Sequence, residues 1–132
     1  MIRISKLADY GTVIMAHLAR HSRLPLNAKD VAIATHIMLP TVTKLLKQLA
    51  QAGLLASQRG IKGGYYLTNE AEKISLADII NALDGNVALT ECSHSKGVCI
   101  VERNCAIRRS WRNVSSVISD VLSKVTLAEM IR

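Results

Sequence analysis

Apolar positions recur along this chain with the period of amphipathic helices, which predicts a mainly helical protein. We expect a first helix over residues 5–19, a short second helix over residues 29–35 and a fourth over residues 75–84. A third helix begins near Pro40, because the first turn of a helix does not need the N–H that proline lacks. N-cap residues stand at or just before three of these starts: Ser5, Asn27 and Ser75.

The third helix has the clearest division between an apolar and a polar face. Its apolar stripe points inward and is formed by Val42, Leu45, Leu46 and Leu49, at i, i+3, i+4 and i+7. Its outward face is polar, as entry into the major groove of DNA requires, although any solvated helix face looks similar. The outward residues are Thr41, Lys44, Lys47, Gln48 and Gln51.

After Gly53 the pattern changes to two short apolar runs within residues 54–68, which flank a basic, glycine-rich tip at residues 59–64. This pattern predicts a β-hairpin. Three helices followed by such a hairpin, or wing, are the layout of a winged helix-turn-helix, whose third helix enters the major groove of double-stranded DNA. The predicted fold class is therefore mainly α with a small β-hairpin.

The DNA contacts are expected on the third helix and on the wing. Arg59 can place its guanidinium in a minor groove, because the adjacent glycines let the hairpin tip approach the DNA backbone, and Lys62 adds charge at the same tip. Lys44 and Lys47 are expected to contact phosphates or guanine edges. Thr41, near the start of the third helix, is expected to reach a base or a phosphate.

A long helix is predicted near the end of the chain, with apolar positions in alternating steps of four and three. At 1.5 Å per residue it spans about 28 Å. Heptad spacing predicts a homodimer, as is common for helix-turn-helix proteins, but the stripe could instead pack on its own domain. The stripe consists of Ile107, Trp111, Val114, Ile118, Val121 and Val125.

The formal net charge of +7 is unevenly distributed. Residues 1–70 hold nine Lys and Arg against three acids, whereas residues 71–132 hold eight against seven. This asymmetry predicts a polyanion-binding module beside a sensing or assembly module. We therefore expect a winged helix-turn-helix DNA-binding region over residues 1–70, and a cluster-binding loop with a dimerisation helix over residues 71–132, folded as one compact unit.

The chain has no apolar run near the ~18 residues of a membrane span and no signal-peptide layout, so the expected location is the cytoplasm, without a membrane partner. It also lacks a Ser/His/Asp pattern and a Walker loop. The glycine motif at residues 60–64 is too short and wrongly placed for a dinucleotide fingerprint. We therefore do not expect an enzyme.

The only cysteines are Cys92, Cys99 and Cys105, which lie within fourteen residues of one another. Thiols collected on one loop of a cytoplasmic protein predict an exposed site for a soft metal centre rather than disulfides. Tetrahedral zinc sites and iron–sulfur clusters normally take four ligands, so a fourth must come from elsewhere. His94 is a local candidate for it or a solvated loop histidine. Structural zinc and a redox-sensing disulfide from Cys92 to Cys99 or Cys105 remain open alternatives.

The resemblance to a known family rests on the hairpin and the cysteines. Gly53-Leu54-Leu55, Arg59-Gly60 and Gly63-Gly64-Tyr65-Tyr66-Leu67, followed by the three cysteines and the long helix, resemble the Rrf-type winged-helix iron–sulfur regulators (IscR/NsrR-like). Residues 39–47 with 58–60 look most similar to the SUF-system branch. The resemblance implies a homodimeric DNA-binding regulator that acts as a repressor of cluster-assembly genes. Its [2Fe–2S] or [4Fe–4S] cluster would sense cluster supply or oxidative and nitrosative stress.

The resemblance also suggests ligands. Cys92, Cys99 and Cys105 match the three cysteine ligands of the family. A histidine that follows the third cysteine in the IscR branch is replaced here by Arg108. In the nitric-oxide-responsive branch the partner subunit supplies an acid from its first helix, and Asp9 occupies that position. Asp9 is thus the first choice for the fourth ligand, although an acid near a helix N-terminus is also favoured by the helix dipole.

Overall fold

Helices make up most of the protein, and one hairpin separates the third helix from the fourth. The structure, a computed structural model, describes residues 2–132. Short 3₁₀ turns at Ala71–Lys73 and Glu102–Asn104 complete the fold. The main elements are α1 (Lys6–Arg20), α2 (Ala28–Thr35), α3 (Leu39–Gln51), β1 (Leu55–Gln58), β2 (Gly64–Leu67), α4 (Leu76–Asp84), α5 (Glu91–His94), α6 (Arg108–Lys124) and α7 (Leu127–Met130).

The predicted N-caps are all present in the structure. The Ser5 hydroxyl accepts a hydrogen bond from the backbone N–H of Ala8 at 3.1 Å, and the Asn27 side chain accepts one from that of Asp30 at 2.8 Å. At α4 the capping box is complete, because Ser75 and Asp78 each accept from the other's N–H with their side chains. These caps satisfy N–H groups that have no partner within the helix.

The core forms around α3, whose four predicted stripe residues are all fully buried. Ile14 and Met15 of α1 and Ile79 of α4 pack against this stripe. Leu127 of α7 joins the same core, and its N–H donates to the carbonyl of Ile74 at 2.8 Å. Residues from both ends of the chain therefore build the hydrophobic cluster that supports α3.

The predicted hairpin is confirmed as an antiparallel pair, with Leu55 opposite Leu67 and Gln58 opposite Gly64. Residues 59–63 form the exposed or half-exposed tip of this wing. Tyr65 also pairs with Leu26 in an isolated antiparallel bridge. The wing is thereby fixed to the segment that precedes α2. The fold is thus the expected mainly helical winged helix-turn-helix.

The predicted long helix is present as α6, but its exposed apolar face differs from the predicted stripe. Ile118 and Val125 are half-buried on their own chain, while Val117, absent from the predicted set, is 60% exposed. The heptad pattern missed this, because α4 and α5 pack on one side of α6 and cover Ile118. The exposed apolar residues are Ile107, Trp111, Val114, Val117 and Val121. Over residues 2–132, no helix is both long and apolar enough to span a bilayer.

Candidate nucleic-acid interface and cysteine loop

The expected DNA-contacting residues lie on α3 and on the wing tip. Lys44, Lys47, Arg59 and Lys62 are exposed, whereas Thr41 is half-buried. No Asp or Glu occurs anywhere in residues 31–69, so this surface has no acid of its own to repel a phosphate backbone.

Gln48 departs from the expected outward orientation. It is half-buried, and its Oε1 is shielded from solvent without a hydrogen-bond partner in the described part of the chain. An amide oxygen that is buried without a hydrogen-bond partner is costly. Because it is half-buried, Gln48 lies at the edge of the outward face of α3 rather than on that face. Gln51, one turn further along, is exposed as predicted.

Apolar residues also lie on this surface, although the sequence pattern did not predict them there. Met38 is 76% exposed just before α3, and Leu39 and Ile61 are exposed at the start of α3 and in the wing tip. Apolar side chains at a DNA surface can contact thymine methyl groups. The only sequence signal was that Met38 and Leu39 lie ahead of the stripe that begins at Val42.

The three cysteines lie on one segment, residues 88–107, which we call the cysteine loop. Cys92 is in α5 and only 7% exposed, whereas Cys99 and Cys105 are half-buried on either side of the Glu102–Asn104 turn. The expectation of a freely exposed site is therefore wrong for Cys92, because α5 packs against α6. The Cys92 sulfur lies 3.2 Å from the Thr90 hydroxyl.

Glu102 lies at the centre of the cysteine loop and is only 8% exposed. Its backbone N–H donates to the carbonyl of Cys99 at 3.2 Å, and its carbonyl accepts from the N–H of Cys105 at 3.4 Å. Arg112 of α6 donates from Nη2 to Glu102 Oε1 at 2.6 Å and from Nε to the carbonyl of Cys92 at 3.1 Å. The backbones of all three cysteines are therefore connected through one partly buried ion pair, in which Glu102 is the buried partner.

Asp9 and His94 occupy different surroundings within one chain. His94 lines a cavity of about 290 Å³ together with Cys92 and Arg112. Asp9 lines a separate cavity of about 790 Å³, formed by the N-terminal segment, α1 and the ends of α4 and α7. Within one chain, His94 thus shares a cavity with Cys92, whereas the cavity that Asp9 lines includes no cysteine.

The donor set has the chemistry of an iron–sulfur site but not the geometry of a single-ion site. Among residues 2–132, no group of three or more His, Cys, Asp or Glu side chains lies close enough together to hold one metal ion. A cluster needs less convergence, since its ligands are divided among different iron atoms. Three thiols on one anchored loop fit such a group in donor type.

Comparison with known proteins agrees with this fold over the full chain. A family model described as "Rrf2: Iron-dependent Transcriptional regulator" matches residues 4–132. The HTH-type transcriptional regulator IscR of Vibrio campbellii is 34% identical over 132 residues, which are 99% of this chain and 78% of that relative.

Two solved structures have the same architecture. CymR of B. subtilis, titled the global cysteine regulator, superimposes with a TM-score of 0.78 at 29% identity, covering 99% of this chain and 97% of that one. T. potens IscR superimposes with a TM-score of 0.74 at 30% identity, covering 98% and 86%. The protein is thus a winged-helix, DNA-binding transcriptional regulator and not an enzyme. It belongs to the Rrf2 family.

Proposed function

We propose that this regulator is a repressor whose affinity for double-stranded DNA depends on an iron–sulfur cluster held by Cys92, Cys99 and Cys105. The observation that supports it best is that all three thiols belong to one loop anchored on α6, in a chain that an iron-dependent regulator family matches over residues 4–132. The genes for cluster assembly are the proposed targets.

The bound cluster, of [2Fe–2S] or [4Fe–4S] type, would supply a centre that is sensitive to cluster supply and to oxidative or nitrosative attack. The chain's own residues then determine the response. The cysteine loop is bonded to α6, and α4 packs against both α6 and α1. A conformational change in the loop can therefore be transmitted through α6 and α4 to the DNA-binding helices.

The proposed assembly is a homodimer through α6. Five apolar side chains on its outer face are exposed in the single chain, including Trp111. A second copy would cover this face and would also allow Asp9 of one subunit to approach the cysteine loop of the other. Two recognition helices could then read two half-sites of an operator.

Anaerobic purification with iron and sulfide analysis and visible absorbance tests the proposal. We expect brown protein with stoichiometric iron and sulfide, and a large change in operator affinity when the cluster is removed. Cys92→Ala, Cys99→Ala and Cys105→Ala should each lose stable cluster binding while the protein remains folded, because the core cluster includes no residue of the cysteine loop. Full iron content in any one variant would remove that cysteine from the ligand set.

A second candidate function is a regulator that responds to thiol oxidation alone. The similarity to CymR, which has also been solved in an oxidised form from Staphylococcus aureus, favours it. Thiol counting with and without oxidant distinguishes it: a fall from three free thiols to one in metal-free protein, with altered DNA binding, supports this alternative. Colourless protein with bound zinc would instead support structural zinc.

A further inference from the structure

Two polar residues are buried in the described chain, and both join the cysteine loop to α6. They are Glu102 at 8% exposure and Ser115 at 4%. The Ser115 hydroxyl accepts a hydrogen bond from the N–H of Leu89 at 3.1 Å, where the loop begins. Burying a polar group is costly unless it is hydrogen-bonded. The presence of both buried polar residues at one contact therefore indicates that their hydrogen bonds are needed to join the loop to α6.

Both carboxylate oxygens of Glu102 are engaged. Oε1 accepts from Arg112 at 2.6 Å, and Oε2 accepts from the backbone N–H of Gly97 at 2.6 Å. The Arg108 guanidinium donates to the Glu102 carbonyl at 3.3 Å. With its oxygens committed to these donors, Glu102 is arranged to hold the loop together rather than to bind a metal.

Arg112 connects two parts of the loop that are ten residues apart. Its Nη2 reaches Glu102 while its Nε reaches the carbonyl of Cys92. These two bonds use separate nitrogens of one planar guanidinium, and a lysine ammonium has only one nitrogen. The requirement is therefore for arginine and not for positive charge alone.

We propose that Glu102 and Arg112 are positioning residues that hold the three cysteines of the loop in place on α6. This inference rests on the proposed function, because it deepens the account of the site that binds the cluster. In the metal-free protein the same pair keeps Cys92 covered, whether or not a cluster is bound in the cell. Loss of Arg112 leaves the Glu102 carboxylate uncompensated at a largely buried position, and loss of the Glu102 charge frees the half-buried Arg112 guanidinium from the loop. In either case the loop opens more often.

The experiment measures alkylation of each cysteine in the metal-free full chain by iodoacetamide, resolved by mass spectrometry. The variants are Glu102→Gln, Arg112→Gln and Arg112→Lys. The control is Glu70→Gln, which breaks the exposed ion pair of Glu70 with Lys73. Thermal unfolding of each variant and the visible circular dichroism of reconstituted protein are measured alongside.

We expect Glu102→Gln and Arg112→Gln each to raise the alkylation rate of Cys92 by roughly tenfold, since one local opening exposes it in both. Arg112→Lys should restore only part of the protection, because it keeps the charge but not both bonds. The temperature of global unfolding should fall no further than in the control, since the core cluster excludes the loop. The circular dichroism of the cluster should change in the two Gln variants.

Unchanged alkylation in both Gln variants would overturn the proposal, as would an equal increase in Glu70→Gln. Protected cysteines with iron lost in Glu102→Gln alone would also overturn it, by making Glu102 a ligand. If the wild type binds no iron but the alkylation pattern is as expected, the positioning role stands and the proposed cluster fails. The two ideas are therefore separable in one set of measurements.

Discussion

Leu26 and Tyr65 exchange two backbone hydrogen bonds, of 3.0 Å from the Leu26 N–H and 2.7 Å from the Tyr65 N–H. This pairing fixes the base of the wing against the segment ahead of α2. Gly64 makes the close approach possible, since a Cβ built there would lie 2.3 Å from the carbonyl carbon of Leu26 and 2.4 Å from its oxygen. Backbone atoms cannot move away without breaking the pair.

Gly64→Ala should therefore destabilise the protein by about 1–3 kcal/mol and weaken DNA binding through displacement of the wing. Urea unfolding measures the first effect and a binding titration the second. Gly60→Ala is the matched control, because its φ of +113° is unfavourable for alanine but no atom lies within 4 Å of the added Cβ. A Gly64→Ala protein as stable as Gly60→Ala would show that the close approach to Leu26 is not required.

The exposed face of α6 gives a prediction about assembly. Val114 is 44% exposed in the single chain, so Val114→Glu should leave the fold intact and abolish the dimer by placing a charge in an apolar interface. Sedimentation velocity at several concentrations measures this. Ser116→Glu adds the same charge to the opposite side of α6, at 100° per residue, and should remain dimeric. Equal behaviour of the two variants would exclude this face as the interface.

Local patterns in the sequence predicted most of the fold. The α3 stripe, the three N-caps and the glycine-rich wing are short-range features, in which residues a few positions apart determine the structure. Each is confirmed by burial or by a hydrogen bond. Helices of one turn were not predicted, since α5 and α7 are too short to show periodicity and depend on tertiary packing.

Long-range contacts account for the parts of the site that the sequence did not reveal. Glu102 and Arg112 looked like ordinary charged residues, and nothing local showed that they would pair across ten positions. The burial of Cys92 and the covering of Ile118 likewise depend on how α5 and α4 pack against α6. The domain boundary near residue 70 and the individual metal and DNA contacts remain predictions.

The fourth ligand can be assigned by comparing Asp9→Asn with His94→Gln. We expect Asp9→Asn to assemble a cluster that decays faster in air, because three thiolates can hold it while a weaker ligand fills the fourth position. His94→Gln should decay at the wild-type rate. Time courses of visible absorbance give both rates. Unchanged decay in Asp9→Asn together with faster decay in His94→Gln would transfer the role to His94.

His17 gives a prediction about pH. Burial, with smaller contributions from His21 and Arg20, lowers its pKa from the ordinary value of 6.5. The unfolded chain then takes up a proton near pH 6.5 while the folded chain does so only at lower pH, so this group's contribution to stability is present above pH 6.5 and is lost as pH falls through the folded-state pKa.

His17→Gln should therefore reduce the loss of thermal stability between pH 7.5 and 5.5. The difference should be small, below ~1 kcal/mol, since the ring is partly exposed and its charge is screened. His36→Asn, which removes an exposed histidine from the end of α2, is the control for the loss of an imidazole. A steeper loss of stability in His17→Gln would contradict the prediction.

The wing and α3 should contribute differently to DNA binding. Arg59 stands at the exposed wing tip beside Gly60, where its guanidinium can enter a minor groove and sense the local width of that groove. Arg59→Ala should cost about 1–3 kcal/mol on the operator and reduce the preference over random duplex. Lys44→Ala, on the exposed face of α3, should weaken binding to all sequences alike and lower the salt dependence by about one unit if it contacts only phosphate.

Fluorescence anisotropy with operator and random duplexes at several salt concentrations separates these cases. The operator is first selected from a random pool with the wild-type protein. Lys73→Ala provides a control for loss of positive charge, because Lys73 is exposed in the Ala71–Lys73 turn and pairs with Glu70 away from the wing tip. Its affinity and salt slope should match the wild type. If Arg59→Ala keeps both its affinity and its sequence preference, the wing does not read DNA, and recognition belongs to α3 alone.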